Sequence, residues 1–214
     1  MIAKLTLAAS LFGAIGWMAS PAPQAAKGAP QAATAAQSGR YDIDNVHSCV
    51  IFEIKHLGVS NFYGRFDVIR GKLVLDSGKP ADSLVTLSID AKSVDTNDEV
   101  GQDEAAKDAR DKHLRSADFF DVEQHPTIDF ESKKIVDKGG GKLEITGDLS
   151  FHGVTKSITV MAEQTGFATH PIAGTIVGYE IRFSIKRADY GMDYGPDALG
   201  AEVALIVSIE AQKK

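Results

Sequence analysis

Residues 48–56, which read SCVIFEIKH, alternate apolar side chains with a more mixed set and decide the fold class. Successive side chains of a strand point to opposite faces, so Val50, Phe52 and Ile54 share one apolar face. The same period of two returns at 84–90 and again at 179–186. Repeated strands of this kind predict an antiparallel sheet with one face in water and one in a core.

Eight strand-length runs follow one another along the chain. They lie at about 46–56, 62–75, 83–91, 126–136, 142–151, 155–166, 174–187 and 201–211. Several are long enough to reach roughly 30 Å at about 3.3 Å per residue. Eight long strands are about the number that leaves room for one small ligand inside a closed barrel. The sequence therefore predicts an all-β protein, an eight-stranded antiparallel barrel.

A helical insertion interrupts the strands at 96–121, between strands 3 and 4 of this prediction. The Thr-Asn-Asp sequence at 96–98 can cap a helix, and 102–112 is charged and helix-favouring. Its apolar content is thin, which predicts a surface helix near one end of the barrel. The adjacent Phe119 and Phe120 are expected to diverge, one into the barrel end and one across the helix.

The first 39 residues differ in composition from the rest. Residues 1–20 carry one lysine before an apolar stretch that is short for a bilayer, which predicts a secretory signal peptide, with an uncleaved anchor as the alternative. Residues 21–39, rich in Ala, Pro and Gln, predict a flexible linker. The folded domain then spans 40–214. A periplasmic or secreted bacterial protein is expected.

The charge balance is acidic. Removing residues 1–20 takes away one lysine and no acid, so the formal charge moves from −6 to −7. We therefore expect no nucleic acid partner, because phosphates need a basic face, and no stable membrane insertion or docking on anionic lipid. Cys49 is the only cysteine, which excludes an internal disulfide and a CxxC pair. A homodimer is left open.

The sequence shows no catalytic machinery. The six histidines, at 47, 56, 113, 125, 152 and 170, have no HxH, HxxxH or HExxH spacing, so we predict turn and cap roles and assign no metal ligand. Cys49 shares a face with His47, but nucleophilic catalysis also needs a third, orienting group. We predict no enzyme activity and no cofactor.

The charged residues at 108–118 are either a solvated helix face or a polar rim at a ligand entrance. The loop at 190–196 is either a lid or an ordinary exposed loop.

The domain resembles the YceI-like family over about 40–212, in a set of motifs that follow one another in the expected order. These motifs lie at 41–44, 47–48, 56–60, 93–96, 110–121, 125–126, 130–132, 147–149, 153–156 and 187–191. The resemblance implies a lipocalin-like barrel that holds a polyisoprenoid chain or another long amphiphile in its lumen. It also implies frequent export to the periplasm and, in many members, no established enzyme activity. Ala188 departs from the family's serine, which removes a hydroxyl contact from that position.

The apolar strand faces, with His56 at a strand end and Phe119 after the helix, predict the residues that line the lumen and contact the ligand. They are Val50, Phe52, Ile54, His56, Phe66, Leu87, Ile89, Phe119, Phe130, Leu149, Phe151, Tyr179, Ile181, Phe183 and Leu205. The expected function is transport or storage of a polyisoprenoid, a quinone-like lipid or a fatty acyl compound. Two alternatives stay open: an enzyme that modifies such a lipid at the barrel mouth, and a ligand-free barrel that serves a protein partner.

Overall fold

The alternating runs form one antiparallel sheet of strands joined by tight turns. The computed structural model describes residues 37–98 and 108–214, so the predicted signal peptide and most of the predicted linker lie outside the described residues. The strands are β1 (Gly39–Ile43), β2 (Cys49–His56), β3 (Ser60–Phe66), β4 (Ile69–Leu75), β5 (Leu84–Asp90), β6 (Val94–Asp95), β7 (Thr127–Gly139), β8 (Lys142–Phe151), β9 (Val154–His170), β10 (Gly174–Lys186) and β11 (Leu199–Lys213). Among the described residues, the α-helix between β6 and β7 is α1 (Ala109–Leu114).

The sheet closes because β1 pairs with both β4 and β11. The ring runs β1, β4, β5, β7, β8, β9, β10, β11 and back to β1, and every pairing in it is antiparallel. Closure leaves the ring without an unpaired edge. The predicted eight-stranded antiparallel barrel is confirmed.

Two of the barrel's strands are bent rather than continuous, which corrects the predicted boundaries at 46–56 and 62–75. Residues 199–208 of β11 pair with β2 and residues 211–213 pair with β1, so β1 and β2 are two parts of one strand. Likewise β3 pairs with β2 while β4 pairs with β1. Where the two strands bend, side chains accept hydrogen bonds that a neighbouring strand would otherwise accept. The Asn45 side-chain oxygen accepts from the Ile69 N–H at 2.7 Å, and the Ser93 hydroxyl accepts from the Val68 N–H at 3.0 Å.

In the described part of the helical insertion, less of the chain is helical than predicted. Of the predicted 96–121, the structure shows helix only at Ala109–Leu114, while 99–107 lies outside the described residues and 115–121 forms turns. Among the described residues, no helix has both the length and the apolar character that crossing a bilayer requires.

Helix α1 is held by the residues that were expected to begin it. The buried Asp98 carboxylate accepts from the backbone N–H groups of Arg110 at 2.6 Å and Asp111 at 3.3 Å. The buried Asp111 carboxylate in turn accepts from the Thr96 hydroxyl at 2.5 Å. Asp98 thus satisfies N–H groups of the first turn from a distant position, as a cap residue would.

Gly64 and Gly147 lie inside strands, where a glycine often marks a bend or a bulge. Pairing of β2 with β3 stays regular through Gly64, but a Cβ there would lie 2.2 Å from Cζ of Phe52. Glycine is required because the Phe52 ring lies directly over the backbone. At Gly147 the register shift occurs in the partner strand, between Ser132 and Lys134.

Candidate functional site

The interior of the barrel contains two connected apolar cavities of unequal size. The wide chamber has a volume of about 460 Å³ and lies against β2, α1 and the loop at 191–198. The narrow chamber has a volume of about 80 Å³ and lies among residues such as Leu73, Ile145 and Ile209. Five residues line both cavities: Ile89, Ile128, Leu149, Phe183 and Val207. The lumen is hollow at one end and nearly filled at the other.

The structure places every predicted lining residue on one of these two walls. The wide chamber takes Val50, Phe52, Ile54, His56, Phe66, Ile89, Phe119, Leu149, Phe151, Phe183 and Leu205. Leu87, Phe130, Tyr179 and Ile181 line only the narrow chamber. Alternation therefore predicted which side chains point inward, although it carried no information on which of the two cavities each would face.

Aromatic rings form much of the wide chamber's wall. Phe120 packs against Phe66 with centroids 5.3 Å apart, against Phe151 at 5.9 Å and against Phe52 at 6.4 Å. Tilted and edge-on ring pairs of this kind are favourable beyond their area burial. Phe120 was not among the predicted lining residues, although one ring of the Phe119-Phe120 pair was expected to point into the barrel end.

The mouth of the wide chamber is aromatic and polar. Phe119, His113 and Tyr194 form a cluster in which each pair of ring centroids is 5.0–5.1 Å apart. The His113 ring also pairs with the Asp118 carboxylate, Nε2 to Oδ2, at 2.7 Å. The predicted divergence of Phe119 and Phe120 is confirmed. The interpretation of 108–118 as a polar rim is favoured, since Arg110 and His113 both line the chamber.

Arg187 organises the loop over this mouth, a role that was not predicted from the sequence. Its buried guanidinium donates to the carbonyl oxygens of Gly200 at 2.9 Å, Tyr194 at 3.1 Å and Leu199 at 3.4 Å. Burial lowers the pKa of Arg187, and the Asp193 carboxylate acts in the opposite direction. One feature of the sequence could have indicated this role: Arg187 directly follows a strand whose alternate side chains face the lumen.

The loop at 191–198 covers part of the wide chamber, although five of its eight residues are also exposed to solvent. Met192 is 4% exposed and lines the chamber, as do Tyr194, Gly195 and Ala198. The lid interpretation of 190–196 is thus the better of the two. Ala188 is exposed, and the buried members of its motif are Arg187 and Tyr190.

The Tyr179 phenol on the narrow chamber's wall is kept neutral. Burial, with smaller contributions from Tyr41 and Asp137, raises the pKa of Tyr179 to about 12. The phenol therefore stays protonated at neutral pH.

The predicted cap role of the histidines holds at His170, whose Nδ1 accepts from the Ile172 and Ala173 N–H groups at 3.2 and 3.3 Å.

The fold and this cavity define a closed antiparallel barrel with an apolar lumen, and comparison with known proteins identifies its family. The YceI-like domain matches residues 41–211. A UPF0312 protein of Vibrio parahaemolyticus is 40% identical over 157 residues, which cover 72% of this chain and 78% of that protein. The chain belongs to the YceI-like family.

Two solved structures share the fold at lower sequence identity. BcnA of Burkholderia cenocepacia matches with a TM-score of 0.67 and 21% identity, over 79% of this chain and 99% of that one. A polyisoprenoid binding domain from Saccharophagus degradans, implicated in plant cell wall breakdown, matches with a TM-score of 0.59 and 16% identity, over 81% and 98%.

Proposed function

We propose that this protein is an exported, non-catalytic carrier or storage protein for a long apolar lipid, a polyisoprenoid first among the candidates. The observation that carries the proposal is the wide chamber, whose 460 Å³ lies in the range of small-molecule sites. The structural relative from Saccharophagus degradans, described as a polyisoprenoid binding domain, supports the ligand class.

The proposed ligand lies with its apolar chain in the wide chamber and its head group at the mouth. Burying about 400 Å² of a prenyl chain at about 25 cal/mol per Å² would contribute about 10 kcal/mol before the costs of association. Arg110, His113 and Tyr194 are the polar groups at the mouth that can contact a head group. Phe183, shared by both chambers, contacts the buried end of the chain.

An enzyme acting at the mouth is the second candidate, and one contact favours it. The His113–Asp118 pair orients an imidazole beside the chamber. Within the described residues, however, the His113 ring makes no hydrogen bond to a hydroxyl or a thiol that it could activate, as covalent catalysis would need. Substitution of His113 by Gln should weaken lipid binding only by the loss of one head-group contact, and it would abolish turnover if the pair were catalytic.

Native mass spectrometry and solvent extraction test the carrier proposal. The protein is purified from a bacterial periplasm without detergent, extracted with organic solvent and analysed for lipids. A stoichiometric polyprenyl, quinone-like or fatty acyl compound is expected. An empty extract, repeated after incubation with polyprenyl lipids, would overturn the proposal in favour of a protein partner, and retention in the cytoplasm would overturn the proposed export.

A charge in the lumen provides the matched mutational test. Phe183→Asp places a carboxylate where both chambers meet, whereas Ser184→Asp places the same charge one residue further on, on the exposed face of β10. An unpaired buried carboxylate is strongly disfavoured beside an apolar chain. The first variant should lose bound lipid and the second should keep it. Equal lipid content in the two variants would contradict binding in the lumen.

A further inference from the structure

Two histidines and an aspartate converge outside the lumen, from segments that are distant in sequence. Asp121 and His125 follow α1, and His152 lies in the turn between β8 and β9. One ligand atom from each of the three side chains lies within 4.8 Å of the other two. The two imidazole rings pack with centroids 5.0 Å apart and planes at 62°. None of these residues has a role in the proposed lipid site.

Hydrogen bonding fixes which nitrogen of His152 carries a proton. Its Nδ1 lies 3.0 Å from the Tyr190 carbonyl oxygen, which can only accept, so Nδ1–H is the donor. In the neutral ring Nε2 then holds the lone pair. That atom is buried and has no hydrogen-bond partner among the described residues. A buried polar atom without a partner is rare and calls for an explanation. Metal-binding histidines commonly donate their other ring N–H to a carbonyl in this way.

The other two side chains are positioned to complete a site. The backbone N–H of His125 donates to the backbone carbonyl oxygen of Asp121 at 2.8 Å. This bond closes one turn and brings the two side chains to the same side. Neither the Asp121 carboxylate nor the His125 ring makes a hydrogen bond within 37–98 or 108–214. Gly153 leaves space for the imidazole, since a Cβ there would lie 2.8 Å from Cε1 of His125.

We propose that Asp121, His125 and His152 bind one divalent transition-metal ion, of which zinc is the representative. Two imidazole nitrogens and one carboxylate oxygen are a donor set that zinc accepts, whereas calcium and magnesium prefer oxygen ligands alone. Ligands at about 2.0–2.2 Å from zinc lie about 3.4 Å apart, so binding draws donor atoms that lie within 4.8 Å of one another together by at most about 1.4 Å. Water completes the coordination.

The site sits directly behind the wall of the wide chamber. Phe120 precedes Asp121, Phe151 precedes His152, and the two phenylalanine rings pack at 5.9 Å. A bound ion therefore joins the segment after α1 to the turn between β8 and β9, at the point where both contribute to the chamber. Metal binding should stiffen this wall without touching the lipid.

Zinc titration of the purified protein, prepared without a histidine tag and stripped with a chelator, tests the site. Calorimetry should show one zinc per chain, and the cobalt-substituted protein should show the visible absorption of a four- or five-coordinate nitrogen and oxygen site. His125→Gln should weaken zinc binding at least about 100-fold, more than the loss typical of an outer-shell partner. Zinc should raise the unfolding temperature of the parent protein and not of this variant.

Two further variants keep the test decisive. His152→Asn removes a ligand while suiting the left-handed backbone at that position, φ 49°, and should lose zinc as His125→Gln does. His47→Gln alters the other described cluster of this kind, Asp44, His47 and Glu210, and should leave zinc binding unchanged. Loss of zinc in His47→Gln alone, or no stoichiometric zinc in the parent protein, would overturn the proposal. Lipid content is measured separately, so failure of the metal site leaves the carrier proposal untouched.

Discussion

The two chambers of the barrel are built from the same alternating strands and yet have different interiors. The narrow chamber lies where β1 and β4 belong to the closed ring, and an open volume of only about 80 Å³ remains between its walls. The wide chamber lies where β2, α1 and the loop at 191–198 replace those strands, and it keeps about 460 Å³. Strand alternation makes an apolar lumen, whereas the segments between the strands decide how much of it stays open.

Truncation of one side chain in each chamber should have the largest and most unequal effects. Ile145→Ala removes atoms from the nearly filled chamber, where the side chain is 5% exposed, and should cost about 2–5 kcal/mol of unfolding free energy. Leu205→Ala enlarges a cavity that already exists and should cost less than half as much. Denaturant unfolding measures both losses, and equal losses would contradict the distinction between the chambers.

Lipid retention should rank these two variants in the opposite order. Leu205 lines the wide chamber and Ile145 does not, so Leu205→Ala should lose more bound lipid than Ile145→Ala. Extraction of each variant at equal folded concentration provides the measurement.

Gly64→Ala should have the next largest effect, at the wall of the wide chamber. The new Cβ would lie 2.2 Å from Cζ of Phe52, which belongs to the aromatic wall. Overpacking of this kind costs about 1–3 kcal/mol. Gly166→Ala in β9 is the matched control, because its Cβ would have no atom within 4 Å. Thermal unfolding of the pair checks this, and an equal shift in both would show that strand propensity, not the Phe52 ring, governs the loss.

Arg187→Lys should loosen the loop over the wide chamber and leave the narrow chamber unchanged. Lysine keeps the charge but lacks the planar fork that reaches the Gly200, Tyr194 and Leu199 carbonyls. We expect a loss of about 1–2 kcal/mol. Hydrogen exchange should rise at 191–200 and stay unchanged in β8, and bound lipid should dissociate faster. Uniformly faster exchange across the barrel would indicate a global role instead.

The sequence predicted the walls of both chambers and could not predict their difference. A period of two requires only local information, so inward residues such as Phe183 and Tyr179 were identified without knowledge of their neighbours. Chamber volume depends on contacts between distant segments, as when Phe120 meets Phe66 and Phe151. The residues that close the mouth lie outside the strands, where no periodicity exists. The role of Arg187 was missed for this reason.

The bent strand that joins the two chambers should show the smallest effect, as a pH dependence. His47 lies between β1 and β2, and its hydrogen bond to the Asp44 carboxylate, with the charges of Asp44 and Glu210, raises its pKa above the ordinary 6.5. The same bond lowers the pKa of Asp44 below its ordinary 3.8.

The direction of the dependence follows from these two pKa shifts. The raised pKa of His47 gives stability that is fully present below pH 6.5 and lost as the pH rises through the folded-state value. The lowered pKa of Asp44 gives stability that is present above pH 3.8 and lost as the pH falls through its folded-state value.

His47→Gln should therefore reduce the unfolding temperature more at pH 5.5 than at pH 8.5. His170→Gln, whose ring contacts backbone N–H groups instead of a carboxylate, serves as the control. The effect stays small because the His47 side chain is 61% exposed, and solvent screens an exposed ion pair. An equal loss for His47→Gln at both pH values would show that the junction is held by the backbone and the Asn45 contact alone.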